Sequence, residues 1–206
     1  MSEWISFLLA AKRRQEVAVV ITVAATKGSV PREAGTKMVV TAGDVFGTIG
    51  GGHLEFKAID IAKNMISAAG ARALYRFPLG ATLGQCCGGV VNLLFEPVPL
   101  AASWVEAVAS RSAAGKDFMI VTPVSGDARG GKLILDVADN EVGKATGTLG
   151  SSELDDSPIK MAGREQHIHQ ASRPNSSINV CAVTRRTRPA FTSFNDRRIR
   201  ETYDLR

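Results

Sequence analysis

The sequence predicts an α/β domain, because strand-like apolar runs alternate with amphipathic helical segments along its first 150 residues. The clearest strand is "EVAVVITVAAT" (16–26), a nearly continuous β-branched run of the kind that is buried on both faces of a sheet. The clearest helix is "GGGHLEFKAIDIAKNMISAAG" (50–70), whose apolar residues recur on one side and which ends at Gly70. These observations favour a single domain with a mixed β-sheet flanked by helices.

Hydrophobic patterns also predict two further helices and six further strands. Trp4, Ile5, Leu8 and Leu9 share one face of an amphipathic N-terminal helix that Ser2 can cap. A second helix, "LAASWVEAVASRSAAG", ends at Gly115. Further strands are predicted at "TKMVVT" (36–41) and "VFGTIG" (45–50), which form a hairpin, at "ARALYRFPL" (71–79), "VVNLLFEPV" (90–98), "KDFMIVTPV" (116–124) and "KLILDV" (132–137).

The chain changes character near Gly150. Residues 1–150 are predicted as one domain, whereas residues 151–206 are polar, rich in arginine and without period, which predicts an irregular, poorly ordered basic tail. Within the tail, "INVCAVTRR" (178–186) is a candidate for one short strand.

Charge and cysteine usage exclude several classes of protein. Residues 1–150 carry 15 Lys/Arg and 13 Asp/Glu, a net charge of +2, and residues 151–206 carry 10 and 7, a net charge of +3. The excess positive charge lies mainly in the tail and has no aromatic spacing, so nucleic-acid function is not indicated. No apolar run reaches the roughly 20 residues of a membrane span. Three cysteines and no secretory signal lead us to expect a cytoplasmic protein.

Two glycine-rich loops suit an anionic ligand. The first, "ATKGSVPREAGTKM" (25–38), combines glycines with Arg32 and Lys37, although a solvated connection with incidental charges explains it equally well. The second, "GTIGGGHLEF" (47–56), leads Gly50, Gly51 and Gly52 into a helix start, where unpaired amides favour negative charge. It is neither a dinucleotide fingerprint nor a Walker loop. His53 is either a ligand contact or a residue that only caps or packs. Glu55 is expected to complement the helix dipole or to serve in a capping box.

A third loop, "LGQCCGG" (83–89), contains two of the three cysteines. Neighbouring cysteines are poorly placed to bond to each other, and their spacing does not fit a zinc site. Two interpretations remain open. Cys86 and Cys87 are small buried apolar residues, or a thiolate on glycine-lined backbone approaches a soft, anionic ligand, with Gln85 adding a polar contact.

Three stretches in this order, "GSVPREAGTKMVVT" (28–41), "GTIGGGHLEFKAI" (47–59) and "LGQCCGGVVNLLFEPV" (83–98), closely resemble the N-terminal domain of the XdhC/CoxI family. These are accessory proteins of xanthine dehydrogenase and related molybdenum hydroxylases, and the resemblance covers roughly residues 15–100. It implies a chaperone, not an oxidoreductase, that binds molybdenum cofactor and protects it while a partner sulfurase (a cysteine desulfurase) installs its terminal sulfur. It also implies delivery of the cofactor to the apo-hydroxylase, and a homodimer is a further candidate assembly.

The resemblance implies that the family's cofactor-binding cysteine corresponds to Cys86 or Cys87, and we favour Cys86 as the contact to molybdenum. The cofactor's phosphate suits either the amides of Gly50, Gly51 and Gly52 or the loop bearing Arg32 and Lys37. The expected cofactor-binding residues are therefore Arg32, Lys37, Gly50, Gly51, Gly52, His53, Gln85, Cys86 and Cys87.

The sequence departs from the family after Gly150. Family members usually continue into a Rossmann-like second domain, and residues 151–206 do not resemble one. A natural short form and a shifted reading frame are both consistent with such a tail. The alternatives to a chaperone are a thiol-dependent enzyme or sulfur relay that uses Cys86 or Cys87, and a truncated, non-functional fragment.

Overall fold

The computed structural model describes residues 3–80, 88–122, 131–138, 141–149 and 184–185. The chain divides into two compact units, Met1–Lys116 and Asp117–Arg206. This division falls inside the stretch 1–150 that the sequence suggests as one domain. Whether residues 1–150 form one domain stays a prediction.

The first unit contains three helices and a five-stranded sheet. Its elements are α1 (Glu3–Arg13), β1 (Ala18–Lys27), β2 (Lys37–Val40), β3 (Val45–Gly47), α2 (Gly52–Ser67), β4 (Ala73–Pro78), β5 (Val90–Val98) and α3 (Trp104–Ala113). The strand order is β3-β2-β1-β5-β4, so the long β-branched strand β1 lies at the centre, as its near-continuous hydrophobicity predicts.

Alternate residues of the central strands supply two separate cores. One face of β1, with Val19, Ile21 and Val23, packs against Leu54 and Ala58 of α2. The other face carries a second core to which α1 and α3 contribute; its buried members are Leu8, Ala18, Val20, Val39, Val98 and Val105. The sheet is thus covered by helices on both faces, which confirms the predicted α/β class.

Every strand pair that the structure describes is antiparallel, whereas the sequence analysis expected a mixed sheet. The reason lies in the connections. Parallel neighbours need a long crossover. Within the first unit, the crossover through α2 joins β3 to β4, and these two strands lie at opposite edges of the sheet.

Antiparallel pairing brings two of the motif-bearing loops and the described flanks of the third to one end of the sheet. β1 ends at Lys27 beside the start of β5 at Val90, and the start of β2 at Lys37 pairs with Thr22 of β1. β3 ends at Gly47, paired with Met38 near the start of β2. Loops 28–36 and 48–51 and the flanks of the cysteine stretch, 79–80 and 88–89, therefore emerge together, at what we call the loop end.

Two of the helices end in the same way, by a backbone motif. The amide of Lys116 donates to Arg111 O at 3.0 Å, and Gly115 has a φ of 70°, which confirms the predicted glycine cap of α3. After α2, the amide of Gly70 donates to Met65 O at 2.8 Å, but the residue with positive φ is Ala69, at 49°. None of the helices in the described ranges is long and apolar enough to span a membrane.

The second unit contains a four-stranded sheet of order β8-β7-β6-β9. Its strands are β6 (Asp117–Val121), β7 (Lys132–Ala138), β8 (Glu141–Thr148) and β9 (Thr184–Arg185). Its buried core consists of Met119, Val121, Leu133, Leu135 and Leu149. β9 lies within the run 178–186 that was a candidate strand, whereas the rest of residues 150–206 lies outside the described part of the chain.

Candidate functional site

The glycine turn before α2 packs directly against the first loop. Gly50 has a φ of 128°, in the region that L side chains rarely adopt, and a Cβ built on it would lie 2.8 Å from Cβ of Pro31 and closer still to Cγ. Only glycine fits this position without displacing Pro31. Two of the three loops singled out in the sequence therefore touch at Gly50 and Pro31.

Gly89, the residue before β5, packs against the same first loop. A Cβ built on Gly89 would lie 2.7 Å from Lys27 O and closer still to Ser29 O, so the backbone of Gly89 lies tightly against residues 27–29. From the other side, a Cβ on Gly28 would lie 3.3 Å from Gly89 Cα. Gly88 and Gly89 follow directly on Cys87 in the sequence, and the first loop lies between them and the glycine turn.

Hydrogen bonds anchor the first loop to the sheet. Val23 donates its amide to Thr36 O at 2.9 Å, and Gly35 donates its amide to Val23 O at 2.8 Å. Next to these bonds the register of β1 with β5 shifts between Val23 and Ala25, a β-bulge of the kind often found beside functional sites. The base of the loop is therefore fixed, while Arg32 near its tip is exposed.

The amides of the glycine turn already have acceptors within the turn. Glu55 Oε2 accepts hydrogen bonds from the hydroxyl of Thr48 at 2.5 Å and from the amides of Ile49 and Gly51, each at 3.1 Å. The amide of Gly50 donates to Thr48 Oγ1 at 3.1 Å. Gly51 is the N-cap residue of α2, so Glu55 caps the helix by accepting the N-cap amide, but the reciprocal bond of a capping box is absent because Gly51 has no side chain.

This network was only partly visible in the sequence. Glu55 was recognised as a helix cap, but Thr48 was not singled out. Its role depends on the path of the turn, which brings residues seven positions apart into contact. Two of the three amides expected to meet a phosphate, those of Gly50 and Gly51, are engaged by Thr48 and Glu55 instead.

Lys37 does not reach the glycine turn. Its Nζ donates to Thr22 Oγ1 at 3.0 Å and lies 5.7 Å from the ring centroid of Trp4 in α1. Alternation along β2 explains this placement, because Met38 packs toward α2 and its neighbours on either side must project to the other face. The closeness of Lys37 to the first loop in the sequence suggested a shared site. In the structure its side chain projects to the face of the sheet opposite α2.

The other predicted site residues lie partly at the loop end and partly outside the described residues. The side chains of Arg32 and His53 are exposed at the loop end, as is Gly52, whereas Gly50 and Gly51 are half-buried. Gln85, Cys86 and Cys87, including the proposed molybdenum contact of Cys86, lie outside the described residues, and their roles stay predictions. Within the described ranges, no group of three or more His, Cys, Asp and Glu residues is arranged to hold a metal ion.

The family comparison covers the first two of these loops. Residues 11–78 match the XdhC and CoxI family. The matched stretch contains the first loop, the glycine turn and all of α2, and it ends before "LGQCCGG". The match confirms the resemblance to the family for the first two motifs. Among curated proteins, none matches the chain.

A solved structure shows the same fold. A chain described as a xanthine dehydrogenase (BH1974) from Bacillus halodurans is similar with a TM-score of 0.57 at 22% sequence identity. The alignment covers 72% of the present chain and 45% of that chain, so the present chain spans less than half of its length. At this identity the likeness concerns the fold.

Proposed function

We propose that this chain is an accessory protein that binds molybdenum cofactor as cargo and assists its sulfuration and insertion into xanthine dehydrogenase or a related hydroxylase. The observation that carries the proposal is the contact of the first loop with the glycine turn on one side, Pro31 against Gly50, and with the end of the cysteine motif on the other, Gly28 against Gly89. The family match over residues 11–78 supports the same role.

The chemistry of the loop end suits a large anionic ligand held without covalent change. Arg32 and Lys27 offer exposed positive charge on the first loop, and guanidinium groups bind phosphate oxygens through paired hydrogen bonds. Cys86 and Cys87 come directly before Gly88 and Gly89 in the sequence. Because Gly89 packs against the first loop, the two thiols are tethered close to it. A thiolate there would supply the soft ligand that a molybdenum–sulfur centre favours.

The test is anaerobic purification of the full chain from cells that make the cofactor, followed by quantification of molybdenum and pterin. We expect both in equal amounts in the wild-type protein, and we expect both to be lost in a variant carrying Cys86→Ala and Cys87→Ala. Cys181→Ala is the matched control, because it removes the third thiol and leaves the pair intact. Undiminished retention in the double variant would remove the thiols from the proposal.

Two further measurements concern the role of the protein in maturation. Adding the loaded chain to apo-hydroxylase and a cysteine desulfurase should restore hydroxylase activity, and the double variant should not restore it. Alkylation of the thiols by iodoacetamide across pH addresses the enzyme alternative. Turnover that depends on an activated thiolate, without stoichiometric cofactor binding, would contradict the proposal.

A further inference from the structure

Hydrogen-bond donors of the glycine turn converge on an acidic side chain of the protein itself, and we call the space that they surround the amide pocket. The amides of Ile49 and Gly51 and the hydroxyl of Thr48 all donate to a single carboxylate oxygen, Oε2 of Glu55. Convergent backbone amides of this kind usually bind phosphate or another oxyanion. Because Glu55 lies one turn into α2, its charge also complements the positive end of the helix dipole.

The same carboxylate determines where Gly50 lies. Its hydrogen bonds fix the residues on either side of Gly50, Ile49 and Gly51, and the Gly50 amide is held by Thr48, whose hydroxyl is itself bound to Glu55. Gly50 is in turn the residue that touches Pro31 of the first loop. The position of one loop against the other thus depends on Glu55.

We propose that Glu55 is a built-in anion that positions the glycine turn against the first loop and keeps free oxyanions out of its amide pocket. Hydrogen bonds to an ionised acceptor are roughly twice as strong as neutral ones. A free phosphate would therefore have to displace a carboxylate that is tethered and already bound. This inference rests on the proposed function. The cofactor's phosphate is then expected to bind near Arg32 of the first loop and not at the amides of the glycine turn.

The first experiment removes the carboxylate and supplies it again from solution. Glu55→Ala leaves the pocket empty, so we expect its melting temperature to fall by about 5 °C and to rise again when acetate or inorganic phosphate is added. The wild-type protein and the control Glu33→Ala, which removes an exposed carboxylate of the first loop, should show no such response to acetate. This experiment needs no cofactor, so it can be read even if the proposed function fails.

The second experiment separates positioning from stability. Cofactor retention is measured in the cold, where circular dichroism shows that each variant is folded, and Glu55→Ala is compared with Leu8→Ala, a core variant on the opposite face of the sheet. We expect Glu55→Ala to reduce retention about tenfold and acetate to restore it, whereas Leu8→Ala retains the cofactor. Equal retention by Glu55→Ala and wild type would overturn the positioning role.

If Glu55→Ala does not fold, Glu55→Gln provides the test, because it keeps the shape and one acceptor oxygen but removes the charge. We expect Glu55→Gln to fold, to bind inorganic phosphate more tightly than wild type by isothermal titration, and to lose part of its cofactor retention. Phosphate affinity and retention identical to those of wild type would show that the charge of Glu55 excludes nothing, and the proposal would be wrong.

Discussion

The two faces of the first sheet are built from neighbouring residues of the same strands, yet only one of them leads to the candidate site. The face under α2 connects through Leu54 to the glycine turn, whose Gly50 touches Pro31. The face under α1 and α3 is closed by Trp4, with Lys37 against its ring, and by an ion pair between Lys12 and Glu106. One face therefore supports the loops of the candidate site, and the other stabilises the fold.

Adjacent residues of one strand can belong to different faces and so have different roles. Lys37 and Met38 are adjacent, but alternation along β2 sends Met38 into the core beneath α2 and Lys37 toward Thr22 and Trp4. A positive charge near a glycine loop in sequence is therefore weak evidence for a shared site unless the face is known.

The largest effect is expected from truncating one buried leucine in each of the two cores. Leu54→Ala and Leu8→Ala both truncate fully buried leucines, so each should lower the free energy of unfolding by about 3 kcal/mol, measured by urea titration. Leu54 lies in the first turn of α2, beside the glycine turn, so its loss should also reduce cofactor retention in the cold. Equal losses of retention in both variants would contradict the separation of the faces.

Substitution of tightly packed glycines at the loop end should have the next largest effect. Gly89→Ala places a methyl group against the backbone oxygens of Lys27 and Ser29, and we expect a loss of about 2–3 kcal/mol in the free energy of unfolding. Gly88→Ala is the matched control, since no described atom lies within 4 Å of a Cβ built there. If both variants unfolded at the same urea concentration, the packing of the loop end would not be as we describe it.

A comparison of two cations tests the site itself. Arg32→Ala should weaken cofactor retention about tenfold, or about 1.4 kcal/mol, and leave the unfolding midpoint unchanged, because Arg32 is exposed. Lys37→Met should leave retention unchanged and lower the free energy of unfolding by about 1 kcal/mol, because it removes the hydrogen bond to Thr22. The reverse pattern would return Lys37 to the site and remove Arg32 from it.

The smallest effect concerns the ion pair on the α1 and α3 face. Lys12 Nζ donates to Ala102 O at 2.8 Å and lies 2.6 Å from Glu106 Oε1. Desolvation acts to raise the pKa of Glu106, but the hydrogen bond from Lys12, a backbone hydrogen bond and the charge of Lys12 outweigh it, so the pKa is lowered. With a lowered pKa, the pair stabilises the fold above the ordinary pKa of a glutamate and ceases to do so as the pH falls through the folded value.

Since the Glu106 side chain is 52% exposed, solvent screens the pair and its contribution should be about 0.5 kcal/mol or less. Glu106→Gln should show this loss in urea titrations at neutral pH, and the difference from wild type should shrink as the pH is lowered below 4. Cofactor retention should not change. A pH-independent difference would mean that the hydrogen bond, and not the charge, carries the effect.

Predictability from the sequence varied between elements for identifiable reasons. The hydrophobic runs of β1 and β5 and the periodicity of α2 and α3 were sufficient to locate these elements, because burial on regular faces leaves a regular pattern. β8, "EVGKATGT", was missed because two glycines and few apolar residues give no strand signal. Its strand conformation depends on pairing with β7.

The ends of helices show the same limit on a smaller scale. Gly115 was correctly identified as the cap of α3, since glycine adopts a positive φ at low cost. After α2 the positive φ falls on Ala69, and the adjacent Gly70 is needed for another reason: a Cβ there would lie 3.3 Å from Cα of Met65. That reason is a close approach in space, which no local pattern indicates.

For the site, the amino-acid sequence establishes which residue types are available: glycines before α2, cations on the first loop and a capping glutamate. The partners of these residues depend on the three-dimensional fold. In the fold, Pro31 lies against Gly50, the amides of Gly50 and Gly51 donate to Thr48 and Glu55, and Lys37 projects to the other face of the sheet. The physical reason is that helix caps and hydrophobic periodicity are local, whereas the contacts between loops depend on strand order and on the face to which each side chain projects.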